Sequence, residues 1–209
     1  MGSVIPFSQA KIFVQSLTKD GHVTRAILDT NILIAGTYEI NKEHESVSAL
    51  LDTLTKLGVE FYATVNTRAE FIEFHRRLLL TEILLDLIDE HSKIKMPNAA
   101  RSEIKTAYAS VKSKQSRDGA DPIFNDDPKQ AHLFTQTLDW PVAAAIVEKT
   151  GLSISDSMIM NALNSSVCDF AISLDFDFGF ATLADSKAKD VVMPDRAERE
   201  YRHYHFDIL

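Results

Sequence analysis

The chain has 209 residues, a formal net charge of −8, 45% hydrophobic and 25% charged residues, and a single cysteine, Cys168. A domain of this size buries roughly 70% of its unfolded surface, which leaves no room for a second independent core. No apolar stretch reaches the roughly 18 residues of a membrane span, the N-terminus lacks a secretory pattern, and one cysteine excludes an intrachain disulfide or a cysteine-based zinc cluster. The expectation is a cytoplasmic protein without membrane contact.

In chain order, Phe7 to Leu17 has helical apolar spacing and stops at the turn signal Lys19-Asp20-Gly21. Val23 to Leu28 reads as a strand that becomes wholly apolar at Ala26-Ile27-Leu28, as a central strand buried on both faces requires. Asp29 stands at its exit. Ser46 to Leu57 places Val47, Leu50, Leu51, Leu54 and Leu57 on one helical face, with Gly58 where a helix end takes a left-handed residue. Val59 to Val65 is the next strand. A helix with Asn66 or Thr67 as its N-cap follows, carries Glu70 in its first turn and runs to about Glu90. From Leu78 to Ile88 its apolar surface is wider than one core-facing stripe, which points to a sandwiched helix or a homodimer contact.

The stretch 91–134 reads as an elaboration on the core. From His91 to Arg117 the charged side chains are Lys93, Lys95, Arg101, Lys105, Lys112, Lys114 and Arg117, with Glu103 as the only acid. Such an island is either a solvated helix face or a phosphate-contacting arm, although the acidic total runs against general nucleic-acid binding. A helix is expected over Ala99 to Lys114 and a polar loop over Gln115 to Lys129. Asp139-Trp140-Pro141 opens a further helix that Gly151 closes. Ser155 to Asn164 is helical, Cys168 to Ser173 an apolar strand, Thr182 to Ala188 a connector, and Asp190 to Met193 a short strand ended by Pro194, with 194–209 as a docked tail. Strands alternating with helices imply an α/β fold, with a mainly parallel sheet covered on both faces.

In such a sheet, functional groups gather where strands finish and helices begin. Asp29, Glu70, Asp156 and Asp175 all fall at such places. Ionised carboxylates about 4 Å apart repel by roughly 4 kcal/mol near a surface, and a divalent cation removes that repulsion. Hard oxygen donors suit Mg²⁺ or Mn²⁺, and the chemistry such a site favours is phosphodiester hydrolysis. Each acid also has an ordinary structural reading. Asp29 fits an Asx-turn, Glu70 a first-turn acid on a helix dipole with Glu73 as its competitor, Asp156 a capping partner of Ser153, and Asp175 a loop acid with Asp177 as its competitor.

The motif Ile27-Leu28-Asp29-Thr30-Asn31, the helix-borne Glu70, the helix-opening Asp156 and the run Ser173-x-Asp175-x-Asp177-Phe178 resemble the PIN domain. This is a metal-dependent nuclease fold that includes the toxin ribonucleases of bacterial toxin-antitoxin pairs, and the resemblance spans about Val23 to Met193. It implies a three-layer α/β/α sandwich, the metal-site set Asp29, Glu70, Asp156 and Asp175 with Asp177 beside it, and Thr30 and Asn31 positioning Asp29. It further implies RNA as substrate, metal-activated water as nucleophile and an inhibitory protein partner. Arg68, Arg76, Lys105 and Lys112 are the candidate phosphate contacts. Ser173 stands where the family usually has Thr, Phe176 where it is commonly polar, and the 91–134 stretch is absent from the compact toxins. The competing readings are a catalytically inactive PIN-like RNA- or protein-binding module and a phosphatase-like hydrolase with Asp29 as nucleophile. Asn31 argues against the latter, because those enzymes need a second acid at that position.

Overall fold

A computed structural model of the chain describes residues 2–18, 21–39, 41–64, 66–71, 73–74, 77, 80–81 and 140–199. Its strands are β1 (Val4–Pro6), β2 (Arg25–Leu28), β3 (Glu60–Ala63), β4 (Phe170–Ile172) and β5 (Asp190–Met193). They form one sheet in the order β1-β5-β4-β2-β3, and every pairing is parallel. The helices are α1 (Phe7–Leu17), α2 (Thr30–Thr37), α3 (His44–Lys56), α4 (opening at residue 66), α5 (Trp140–Thr150), α6 (Ile154–Ser165) and α7 (Asp177–Ala184).

Side chains alternate across each strand, and the alternation divides the interior into two cores. Ala26 and Leu28 of β2, Phe170 and Ile172 of β4 and Val192 of β5 pack with Ala10 and Val14 of α1, Ile32 and Leu33 of α2, Val47, Leu50 and Leu54 of α3 and Phe71 of α4. On the opposite face Ile27, Ala171, Val191 and Met193 meet Ile146 of α5, Ile159, Met160 and Leu163 of α6 and Phe178 and Ala181 of α7. The fold is therefore an α/β/α sandwich, and β2 is buried on both faces as its apolar run requires.

Strand order reverses at the β2–β4 pair. The chain leaves β2 for β3 on one side and leaves β4 for β5 on the other. In an open parallel sheet this is where a crevice opens at the carboxyl ends of the strands. The exits are tied together there: Asp29 N–H donates to Ile172 O at 3.0 Å, and Ser173 N–H to Val192 O at 3.1 Å.

Within the described residues the predicted strands and helices are found with shifts of a few residues, and Gly58 sits just beyond α3 at φ +79°; the expected helix 99–114 and the extension of α4 to about residue 90 lie outside them. Three elements are additions. β1 extends the sheet beyond β5, α2 begins directly after Asp29, and α7 runs from Asp177 into the first three residues of the expected connector 182–188. The α4 cap also differs from expectation: the Thr64 hydroxyl, rather than Asn66 or Thr67, accepts from Thr67 N–H at 3.1 Å. The expected tail begins as helical residues 195–199, and Asp195 accepts from the backbone N–H and hydroxyl of Ser8 at the start of α1. Most of the wide apolar face 78–88, all of the basic island and the 91–134 elaboration, and the tail beyond 199 lie outside the described residues. Among the described residues no helix is long and apolar enough to cross a membrane.

Candidate metal centre

Asp29 is the N-cap of α2 and is only 3% exposed. Its Oδ1 accepts from Thr30 N–H at 2.6 Å, while Oδ2 accepts from Asn31 Nδ2 at 2.8 Å and from the Ser173 hydroxyl at 2.6 Å. The Asx-turn reading differs from this geometry, because the backbone donor is the adjacent Thr30 N–H rather than the one two residues on, and it leaves the two side-chain donors unaccounted for. Asn31 reaches across the crevice, since its Oδ1 accepts from Leu174 N–H at 3.0 Å. Ser173 also accepts from Asp175 N–H at 3.0 Å, so one buried hydroxyl fixes both the Asp29 carboxylate and the backbone that carries Asp175.

Asp156 arrives from the opposite helical layer. Ser153 is the N-cap of α6; its hydroxyl accepts from Asp156 N–H at 3.1 Å and donates to Asp156 Oδ2 at 2.7 Å. The capping role expected of Asp156 is real, and it also orients the carboxylate that joins Asp29 and Asp175 at the carboxyl ends of β2 and β4. Asp29, Asp156 and Asp175 each offer one oxygen, and the three oxygens lie within 4.8 Å of one another. Asp29 is buried, Asp156 half-buried and Asp175 exposed, so the group grades from core to solvent.

Glu70 and Asp177 stand outside that three-oxygen group. Glu70, exposed in the first turn of α4, accepts from the Thr30 hydroxyl at 2.5 Å through Oε2 and from the Ser155 hydroxyl through Oε1. Glu73, its competitor, accepts instead from Arg77 Nε at 3.2 Å along the same helix. Asp177 opens α7 and is exposed; its charge acts on both Asp156 and Asp175. Arg68 is exposed in the first turn of α4, while Arg76, Lys105 and Lys112 lie outside the described residues.

Burial first, and the crowding of acids after it, raise the carboxyl groups of the site. Desolvation raises the Asp29 carboxyl from 3.8 to about 7, with the charges of Asp175 and Asp156 adding to the shift and the Ser173 and Thr30 hydrogen bonds opposing it. Asp156 is also raised, first by desolvation and then by Asp175, Glu70 and Asp177, against the Ser153 hydrogen bond. Asp175 is raised by desolvation, then by Asp177 and Glu70, against a hydrogen bond from Asn31. Such a cluster can hold a metal ion, whose charge would offset these penalties.

Two participants escaped the sequence reading. Ser173 figured there only as a substitution in a motif, and its anchoring role depends on the β4 exit lying beside the β2 exit. Ser155 had no signal beyond its place in the polar opening of α6. No protein-family model, curated protein or solved structure matches the chain.

Proposed function

We propose that the protein is a Mg²⁺- or Mn²⁺-dependent phosphodiester hydrolase of the PIN class that acts on RNA. The observation that carries this reading is the convergence of Asp29, Asp156 and Asp175 oxygens within 4.8 Å at the strand-order reversal. An all-oxygen donor set of this kind fits a hard divalent cation that keeps several waters and takes phosphate oxygens in its remaining positions. Such a cation, when bound, activates water and stabilises the departing oxyanion.

The chain's own contribution is preorganisation. Asp29 is held by Thr30, Asn31 and Ser173, so its carboxylate need not reorient when a cation arrives. Asp156 is oriented by Ser153, and Asp175 is carried on a backbone that Ser173 pins. The graded exposure leaves the Asp175 side open for a phosphate to approach. Arg68, at the exposed start of α4, is the described cation assigned to the backbone of the nucleic acid.

The test is RNA cleavage in Mn²⁺ by the wild-type chain and by Asp29→Asn, which preserves shape but removes charge and an acceptor oxygen. The expected loss is about 100-fold or more, at least as large as that for disturbing groups around a metal. Equal rates would remove Asp29 from the site, and no cleavage of single- or double-stranded RNA by wild type would reject the nuclease reading.

A further inference from the structure

The fourth acid poses a separate problem, because Glu70 sits beside the three-oxygen group without belonging to it. It is carried by α4, whereas its hydroxyl donors come from α2 and α6: Thr30 donates to Oε2 and Ser155 to Oε1. Thr30 also donates its backbone N–H to Asp29, so Glu70 and Asp29 are set by one residue. Ser155 directly precedes Asp156, so the other end of the clamp is set by the turn that presents a second member of the group. An exposed glutamate on a helix ordinarily samples several rotamers. Here one hydroxyl on each carboxylate oxygen, from two different elements, restricts it to one orientation. The Glu70 charge acts on both Asp156 and Asp175, so its orientation matters to any cation they hold.

On the basis of the metal-dependent reading above, we infer that Ser155 is a positioning residue: with Thr30 it locks the Glu70 carboxylate beside the Asp29–Asp156–Asp175 group, where Glu70 strengthens cation binding from outside that group. Ser155 acts only through Glu70. Its removal therefore costs cation affinity only while residue 70 is a glutamate, and a threonine in its place restores the donor.

The experiment is direct Mn²⁺ titration of the full chain, without substrate, for wild type, Ser155→Ala, Ser155→Thr, Glu70→Gln and the Ser155→Ala/Glu70→Gln double variant. Groups that orient a metal site from outside typically account for 10–100-fold in affinity. Ser155→Ala and Glu70→Gln are each expected to weaken Mn²⁺ binding by about 10-fold, Ser155→Thr to bind as wild type, and the double variant to be no weaker than Glu70→Gln alone. Ser155 is only half-buried, so the alanine variant keeps its fold, which its melting curve verifies. Affinity of Ser155→Ala within 2-fold of wild type (~2-fold being the scatter of a cycle), or losses that multiply in the double variant, would overturn the inference. The two readings fail separately. Coupled losses of Mn²⁺ affinity in a protein that cleaves no RNA reject the nuclease but keep the clamp. RNA cleavage with Mn²⁺ affinity indifferent to Ser155 rejects the clamp alone.

Discussion

At Asp29 a carboxylate with 3% exposure accepts from a backbone N–H, an amide and a hydroxyl. Donors of this number are what make a buried anion tolerable, because each replaces part of the lost hydration. Ser173 is the residue to test, since it is fully buried and supplies the shortest side-chain contact to Asp29 at 2.6 Å. Ser173→Ala should cost about 2 kcal/mol of stability at pH 8, within the usual range for a hydrogen bond to a charged group. At pH 5 the Asp29 carboxyl, raised to about 7, is protonated and the same substitution should cost less. Urea unfolding of both proteins at the two pH values checks this. Equal losses would mean that Ser173 is a packing residue and that its bond to Asp29 carries no charge-dependent share.

At the scale of elements, α6 shows how one local device serves two purposes. The Ser153 hydroxyl satisfies a first-turn N–H that would otherwise lack an intrahelical partner, and it donates a hydrogen bond to the Asp156 carboxylate. Ser153→Ala should therefore cost about 1 kcal/mol, while Ser153→Gly should cost only a few tenths, and chemical denaturation resolves the two. Identical losses would place the effect outside capping. The same device explains what was legible in the sequence. Ser153-x-x-Asp156 is a local pattern, as are the apolar stripe of α3, the Gly58 stop and the doubly buried run of β2. The misses lack such a signature. β1 has three residues, Val4-Ile5-Pro6, too few for a period to appear. α2 and α7 are eight-residue helices dominated by apolar side chains, with Gly36 and Gly179 among them, so they carry neither a polar face nor a strong propensity. Their helicity is imposed by burial against the sheet, and a tertiary cause of that kind leaves little trace in a short window. The candidate acids Asp29, Glu70, Asp156 and Asp175 were legible because they lie at or near the starts and ends of elements. Their partners Ser173 and Ser155 were not, because their roles exist only once β4 lies beside β2 and α4 beside α6.

For the whole molecule, the two cores fix the sheet and the sheet fixes an acidic crevice at the carboxyl ends of its inner strands β2 and β4, in a chain that already carries a net charge of −8. The consequence is a pH dependence with a definite sign. The Asp29 carboxyl titrates near 7 in the folded protein and near 3.8 when unperturbed, so between these values the folded state holds a proton that the unfolded chain has released. Stability is then greatest toward the lower value and falls by about 1.4 kcal/mol per pH unit across the window, to a total of at most about 4 kcal/mol, flattening above 7. Asp156 and Asp175, both raised, add in the same direction. A bound divalent cation reverses the balance, because it competes with protons for the same oxygens and stabilises the folded state most where they are ionised. Melting temperatures recorded from pH 5 to pH 8 in a chelator should decline with pH. In Mn²⁺ at about 100 times its dissociation constant, which is worth about 2.7 kcal/mol, the decline should largely disappear, with the rise produced by metal larger at pH 8 than at pH 5. A chelated protein that grows more stable toward pH 8, or a metal effect independent of pH, would show that the three acids do not share one protonation-linked cation site.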